Sequence, residues 1–181
     1  VYNVATGDTV NLTKNIQSTF WNTRDDHPAT KPPFGLGGWL KGDKEVLLYD
    51  EYDIWSVKPD GKGAKKITNG ADNKVIYRVN RVDYEYPYLD DTKPLYFSAY
   101  GDTSKNFGYY SYDKGKLAKL VFENKTINRL TKAKDANAFL FVKQDYNLSP
   151  ELYATNDFAA VSKVSGTNPQ QSDYNWGKSE I

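Results

Sequence analysis

The stretch YDIWSVKPDG at residues 52–61 decides the fold. Apolar and polar residues alternate from Ile54 to Val57, which is typical of a strand with one buried face. Asp60 and Gly61 tolerate the backbone conformations of a tight turn. A second short strand ends at residues 67–68, an Ile-Thr pair. The stretch therefore predicts a β-hairpin that covers a core with one face.

The same hairpin pattern occurs four times in the 181 residues. Its aromatic anchors are separated by 53, 55 and 43 positions, and they are Tyr2, Trp55, Tyr110 and Tyr153. A second hairpin precedes each of the last three, and these additional hairpins lie at 38–50, 75–100 and 127–142. The repeat unit is therefore four strands in about 43–55 residues.

A four-stranded repeat of this period is typical of a β-propeller blade, which has ~40–50 residues. We predict an all-β fold, a partial β-propeller of about three four-stranded antiparallel blades plus an extra hairpin. The predicted blades are 35–68, 69–121 and 122–165, preceded by a hairpin of another blade at 1–13 and followed by an exit linker at 166–181. A β-sandwich is the alternative, because its strands also alternate, but the aligned anchors favour the propeller.

The composition excludes several classes of function. The 24 Lys and Arg residues nearly balance the 23 Asp and Glu residues, which argues against binding to the phosphates of a nucleic acid. No apolar run approaches the ~18–20 residues of a membrane span. The absence of Cys excludes disulfides, zinc–thiolate sites and a Cys nucleophile. Because the chain lacks a starting Met and its first residues do not resemble a signal peptide, we expect an excised or processed piece.

The residues of this chain provide little for catalysis. His27 is the one histidine, beside Asp25 and Asp26, and we interpret it as a solvated loop residue rather than a base. A Ser-His-Asp triad needs a nucleophile on a strained turn, and no G-x-S-x-G occurs. A zinc site needs three or four converging ligands. We therefore assign no catalytic, cofactor-binding or metal-binding residue and no cofactor.

Three acidic stretches are interpreted as loops, although the first could hold a cation or a peptide amine. They lie at 49–53, 83–85 and 90–91. Residues 59–63 superficially resemble a calcium loop but lack its oxygen spacing and its closing Glu. The 15 Tyr residues suit half-buried strands, and they could also line a surface that binds sugars or peptides.

Residues 52–61 and 67–68 resemble the blade repeat of TolB-type propellers, which commonly reads D-I-W, then D-G, then L-T. Four later segments resemble, in order, the last blade and exit linker of bacterial serine peptidases of the prolyl oligopeptidase family. These segments are KAKDA at 132–136, SPELY at 149–153, NPQQ at 168–171, and YNWG at 174–177 with Glu180.

The resemblance implies that the linker leads into an α/β-hydrolase domain that holds the catalytic residues. It implies a non-catalytic propeller fragment that gates peptide access to that domain, with the hydrolase domain in cis and peptide substrates as partners. It also implies a periplasmic or secreted parent protein. A non-enzymatic, TolB-like protein-binding propeller is the alternative, and a carbohydrate-active propeller is a third option, which needs converging carboxylates. Exposed end blades predict self-association.

Overall fold

A computed structural model describes residues 1–177, so that Glu180 lies outside the described residues. The first blade consists of β1 (Leu36–Trp39), β2 (Val46–Tyr49), β3 (Ile54–Val57) and β4 (Ala64–Lys66). The second consists of β5 (Val75–Val79), β6 (Leu95–Gly101), β7 (Phe107–Asp113) and β8 (Lys116–Glu123). The third consists of β9 (Thr126–Lys132), β10 (Phe139–Asp145), β11 (Leu148–Thr155) and β12 (Ser162–Lys163). Among residues 1–177, the helical ones are confined to α1 (Gly70–Asn73) and to 3-10 turns at Lys41–Asp43 and Pro169–Asp173.

The three sheets confirm the predicted fold class, an all-β partial propeller. Within each sheet the strands pair antiparallel in the order in which they occur in the chain. The anchors Trp55, Tyr110 and Tyr153 all lie on the third strand of their blade. The spacing between anchors changes mainly because the first two strands are joined by residues 80–94 in the second blade but only by residues 133–138 in the third.

The N-terminal hairpin is present but shorter than the predicted range 1–13, and Val1 and Val10 exchange two backbone hydrogen bonds of 2.8 Å. Its backbone makes one isolated antiparallel bridge, between Tyr2 and Thr9, and residues 10–13 form no strand. The Asn11 side chain accepts a hydrogen bond from the Thr13 backbone N–H at 3.1 Å. Such a local bond competes with strand pairing and turns the chain.

Two apolar clusters join the blades face to face. Leu47 and Ile54 of the first blade pack with Tyr77 and Phe97 of the second. Tyr109 of the second blade packs with a cluster in the third that includes Ile127, Phe139 and Phe141. These interfaces bury both faces of the second blade, so the outer faces of the first and third blades are the ends of the arc.

The two ends differ. On the first blade, Val46 and Val57 are covered by Leu12, together with the partly buried Val10 and Ile16. The expectation of two exposed end faces is therefore wrong at this end, because residues 10–16 cap it. On the third blade, Leu140 and Leu152 are each 43% exposed. The third blade therefore presents an open apolar sheet face.

A buried carboxylate joins the first blade to the second. Asp53 is 1% exposed and precedes β3 directly. Its Oδ1 accepts hydrogen bonds from the Thr68 hydroxyl at 2.6 Å and from the Gly70 backbone N–H. Its Oδ2 accepts one from the Ala71 N–H at 3.3 Å and lies 3.4 Å from Lys66 Nζ. The carboxylate thus fixes the connection that leads into the second blade.

The third blade repeats this arrangement with Glu151, which also lies two positions before its anchor. Its carboxylate accepts hydrogen bonds from the Ser165 hydroxyl and from the Thr167 N–H, at 3.1 and 3.2 Å to its two oxygens. Lys163 Nζ lies 3.5 Å away, as Lys66 does beside Asp53. The Ser165 hydroxyl is the main cause of a lowered Glu151 pKa.

In the second blade the equivalent position is Gly108. A Cβ at this position would lie 1.8 Å from the carbonyl oxygen of Val121, so β8 leaves no room for a side chain. This blade needs no such clasp, because only two residues separate β8 from β9. We refer to the arrangements around Asp53 and Glu151 as the carboxylate clasps.

Replacing Asp53 with Ala is expected to destabilise the protein by about 3 kcal/mol or more, because several buried donors lose their acceptor. The free energy of unfolding, measured by urea denaturation, tests this. Asp60→Ala, which alters an exposed turn residue, is the control and should change it by less than about 0.5 kcal/mol. Equal effects of the two substitutions would contradict the clasp.

The open face of the third blade is expected to cause concentration-dependent self-association. Leu152→Glu should weaken it, because the charge would have to be desolvated in the contact. Sedimentation velocity over a range of protein concentrations measures this. Val4→Glu, at a position that is 86% exposed on the N-terminal segment, is the matched control. Sedimentation as a monomer at every concentration would contradict the expectation.

Candidate functional site

The antiparallel order of the strands gives the arc two faces of loops. Loops that join the second and third strands of a blade lie at one edge of each sheet, which we call the upper face. Loops that join the first and second strands lie at the opposite edge, which we call the lower face. The two faces carry different groups of side chains, and each is a candidate site.

Arg24 forms the centre of an ion-pair cluster on the upper face. Its Nε donates to Glu51 at 2.7 Å, in the loop between β2 and β3. Its Nη1 and Nη2 donate to the two carboxylate oxygens of Asp102 at 3.1 and 2.5 Å, in the loop between β6 and β7. Tyr52 completes the cluster, since its hydroxyl accepts from Arg24 at 2.9 Å and donates to Asp102 at 3.1 Å. Arg24 thereby joins the loop segment 14–34 to two blades.

The cluster changes the proton affinity of its members. Hydrogen bonding by the Arg24 guanidinium lowers the pKa of Asp102 to about 2. Burial, and then the hydrogen bond to Asp102, raise the pKa of the Tyr52 phenol above its usual value. The bidentate geometry of arginine and carboxylate gives this contact directional specificity. At neutral pH the Asp102 carboxylate is therefore ionised beside the Arg24 guanidinium, and the Tyr52 phenol is neutral.

The segment after β12 is also bound to the upper face, through the NPQQ residues. The Gln171 side chain accepts from the Ser149 hydroxyl at 2.9 Å and donates to the Asn147 carbonyl at 2.8 Å. The Asn168 amide donates to Ser149 at 3.0 Å, and the Trp176 indole donates to the Gln171 carbonyl at 2.9 Å. We call this set of contacts the tail clamp. It fixes the chain against the β10–β11 hairpin.

The acidic stretch 49–53 is a loop between β2 and β3, and its carboxylates bind groups of the protein itself. Asp50 accepts from the Ser18 hydroxyl at 2.6 Å and from the Trp55 indole at 2.7 Å. Glu51 binds Arg24, and Asp53 forms a carboxylate clasp. The alternative of a site for a cation or a peptide amine is therefore not favoured by the geometry.

His27 lies on an exposed loop, and its side chain is 80% exposed. Its Nδ1 is 2.8 Å from an Asp25 carboxylate oxygen, and its backbone N–H donates to the same oxygen at 2.9 Å. The backbone hydrogen bond, followed by the ring contact, lowers the pKa of Asp25. Asp25, Asp26 and His27 have ligand atoms within 4.8 Å of one another, but these are consecutive exposed residues that contact each other. We assign them no function.

The acidic stretches 83–85 and 90–91 belong to the long loop between β5 and β6, on the lower face. With residues 132–137, this loop lines a cavity of about 780 Å³. Tyr84 and Tyr86 of the loop are 77% and 51% exposed. Residues 59–63 form an ordinary turn, in which Lys58 N–H donates to the Gly63 carbonyl at 2.8 Å. Eight of the 15 Tyr residues lie on strands, and three more lie in this loop.

The sequence alone did not indicate the Arg24 cluster. Arg24 and Asp102 are 78 positions apart, and neither belongs to the repeated hairpin pattern. The carboxylate clasps could have been found, because Asp53 and Glu151 occupy the same position relative to the aligned anchors. Residues 168–171 and 176 resemble an exit linker in sequence, and in the structure residues of this set form the hydrogen bonds of the tail clamp.

Comparisons with known proteins support the fold only. No protein-family model matches the sequence, and no curated protein matches it. Among solved structures, the chain is similar to an oligogalacturonate lyase in complex with manganese, with a TM-score of 0.53 and 17% sequence identity. The alignment covers 77% of this chain and 38% of the lyase chain. This likeness supports the partial propeller and carries no conclusion about activity.

The helices of the described residues are too short to cross a membrane. Within residues 1–177, no helix has the length and the apolar character of a membrane span.

The Arg24 cluster predicts that the segment 14–34 loosens in acid. The pKa of Asp102 is lowered from 3.8 to about 2, so its contribution to stability is complete above about pH 5 and is lost as the pH falls towards 2. The hydrogen-exchange protection of residues 14–34, relative to the intrinsic exchange rate at each pH, should therefore fall over this range. At neutral pH, Asp102→Asn should have the same effect. Asp26→Asn, on a side chain that is 98% exposed, should not, and equal effects would contradict the role of the cluster.

Proposed function

We propose that this chain is the non-catalytic propeller part of a serine peptidase of the prolyl oligopeptidase family, and that it limits the access of peptides to a hydrolase domain. The tail clamp is the observation that carries this proposal. Asn168 and Gln171 of the NPQQ segment, which carries the resemblance to the exit linker, bind the tail to the third blade, and the Trp176 indole holds Gln171 within the tail. The NPQQ segment therefore holds the chain after β12 against the third blade.

The tail clamp supports a defined position for a following domain. Its contacts bind the chain after β12 to the upper face, and the second clasp fixes Thr167 just before it. A domain attached at this point would lie against the upper face. Because the attachment limits how far this domain can move, the entrance to its active site would stay close to the propeller. A filter that selects peptides by size requires this arrangement.

The Arg24 cluster supports the same proposal from the opposite side of the upper face. It binds the loops of two neighbouring blades and the segment 14–34 into one surface through charged hydrogen bonds. A rim held in this way resists opening, so a peptide of small cross-section would pass more readily than a folded protein. The chain itself would contribute contacts and steric exclusion, and the hydrolase domain would perform the chemistry.

A TolB-like protein-binding propeller is the second candidate. The open apolar face of the third blade favours it, because such faces are typical of surfaces that bind other proteins. The region that follows Ile181 in the gene discriminates between the two candidates. About 250 further residues with G-x-S-x-G and later Asp and His would support the peptidase, whereas another blade or a stop codon would support the binding protein. The lyase likeness adds no third candidate, because it shows the fold alone.

The proposed filter is tested with the full-length parent protein and a pair of substrates, a short chromogenic peptide and an unfolded polypeptide of about 100 residues. We expect the parent to prefer the short peptide, and the 181-residue chain alone to cleave neither. Gln171→Ala in the parent should raise cleavage of the long substrate relative to the short one, because the side-chain hydrogen bonds of Gln171 to Ser149 and to the Asn147 carbonyl are lost.

Ser172→Ala is the matched control, since Ser172 is the exposed neighbour of Gln171, and it should leave the ratio unchanged. Turnover by the purified 181-residue chain that persists in the presence of inhibitors of contaminating proteases would overturn the proposal. A parent protein that cleaves the two substrates equally well would also contradict it.

A further inference from the structure

We propose that the cavity on the lower face binds an extended, proline-rich peptide segment in the polyproline II conformation. This site is separate from the proposed function, because the cavity and the tail clamp are at opposite edges of the sheets. It would serve a peptidase propeller or a protein-binding propeller equally well, and it requires no hydrolase domain.

The loop that builds the cavity is unusually long for its position. Residues 80–94 form a connection of 15 residues between β5 and β6, whereas six residues join the corresponding strands of the third blade. Long loops without secondary structure of their own are commonly functional in compact domains. The cavity volume of about 780 Å³ lies within the range of about 300–1,000 Å³ that is typical of ligand sites.

The loop is held in place from three sides. Leu89 is buried, and its backbone bonds to Trp39 O and Lys41 N at 2.7 and 2.9 Å, in the first blade. Asn80 Nδ2 donates to the Leu130 carbonyl of the third blade at 3.3 Å. Glu85 pairs with Lys134 at 2.6 Å across the cavity margin. A ligand would therefore meet a surface that is already formed, which reduces the entropic cost of binding.

Aromatic side chains of the long loop line the cavity. Tyr86 and Tyr88 stack with ring centroids 5.2 Å apart and an angle of 15° between their planes. Tyr84 is held under the Arg81 guanidinium, whose carbon lies 5.4 Å from the ring centroid. Tyr84 and Tyr86 nevertheless remain largely exposed. Grooves lined by aromatic rings are the usual docking sites for polyproline II segments, which lose little conformational entropy on binding.

Arg81 supplies a polar group that lacks a partner. Its guanidinium donates to the carbonyls of Asp83, at 3.4 Å, and Tyr86. Its Nε is buried, and within residues 1–177 nothing accepts a hydrogen bond from it. A buried donor without an acceptor is costly. Because Nε is closed to solvent, it meets a ligand only when the side chains around it shift, and a polyproline II peptide, whose carbonyls have no internal hydrogen bonds, then offers it an acceptor.

The charges around the cavity favour an uncharged ligand. Four acidic and four basic side chains line it, and several already pair with each other or with main-chain carbonyls. A balanced set of charges gives no long-range attraction for a polyanion or a polycation. The aromatic rings and the free donor therefore determine the class of ligand, and together they favour a peptide rich in proline.

Calorimetric titration of the 181-residue chain with the blocked peptide acetyl-(Pro)8-amide tests the site. We expect saturable binding that changes little with salt, because screening affects only long-range charge interactions. Tyr86→Ala should weaken binding by about five- to tenfold, and Tyr84→Ala should weaken it in the same direction. Both residues are exposed, and circular dichroism verifies that each variant is folded.

Tyr146→Ala is the matched control, because Tyr146 is 61% exposed in the β10–β11 loop of the upper face. It should bind the peptide like the unaltered chain. The proposal is overturned if acetyl-(Gly-Ser)4-amide binds equally well, if maltohexaose binds in preference to the peptide, or if no binding occurs at millimolar peptide. An equal loss of affinity in Tyr146→Ala would overturn the assignment to this cavity.

Discussion

The carboxylate clasps are the interaction on which the rest of this structure depends. A blade is a simple antiparallel meander, and its outer strand alone does not determine where the chain goes next. The Asp53 and Glu151 carboxylates fix the path of the chain, because they accept hydrogen bonds from backbone N–H groups just after the blade. Because these acceptors are buried, the donors would be costly to leave without a partner. The direction of the chain is therefore fixed where it leaves the first and third blades, and the short connection of two residues between β8 and β9 needs no clasp.

The clasps also explain why the two faces of the arc can carry different chemistry. With the connections fixed, the upper face holds the Arg24 cluster and the tail clamp, where charged and amide groups satisfy one another. On the lower face, the long loop extends from its anchor at Leu89 and exposes aromatic rings. Binding residues are commonly found on loops that a rigid scaffold positions. In this protein the polar groups of the upper face bind one another, whereas the lower face has an accessible cavity.

Much of the fold was predictable from local patterns. Alternation over residues 54–57 and the aligned anchors located the strands of all three blades, because strand formation follows side-chain periodicity. The N-terminal hairpin is shorter than the pattern indicates, since the Asn11 side chain turns the chain in a way that periodicity does not show. The cap formed by Leu12 on Val46 and Val57 was missed, because it depends on packing between residues far apart in the chain. For the same reason, sequence alone could not pair Arg24 with Asp102. Residues 168–171 were predicted to matter only because they resemble the exit linker of a known family.

The difference between the two ends of the arc limits how the chain can assemble. An open surface at both ends would allow head-to-tail contacts that repeat without closing, which is the geometry of a fibre. Residues 10–16 cover one end, so one apolar sheet face is left for a second copy. Two copies that meet through the same face form a two-fold symmetric contact. The face of each copy is then covered, and none of it is left for a third copy. The N-terminal cap would thus limit the expected self-association of this chain to two copies.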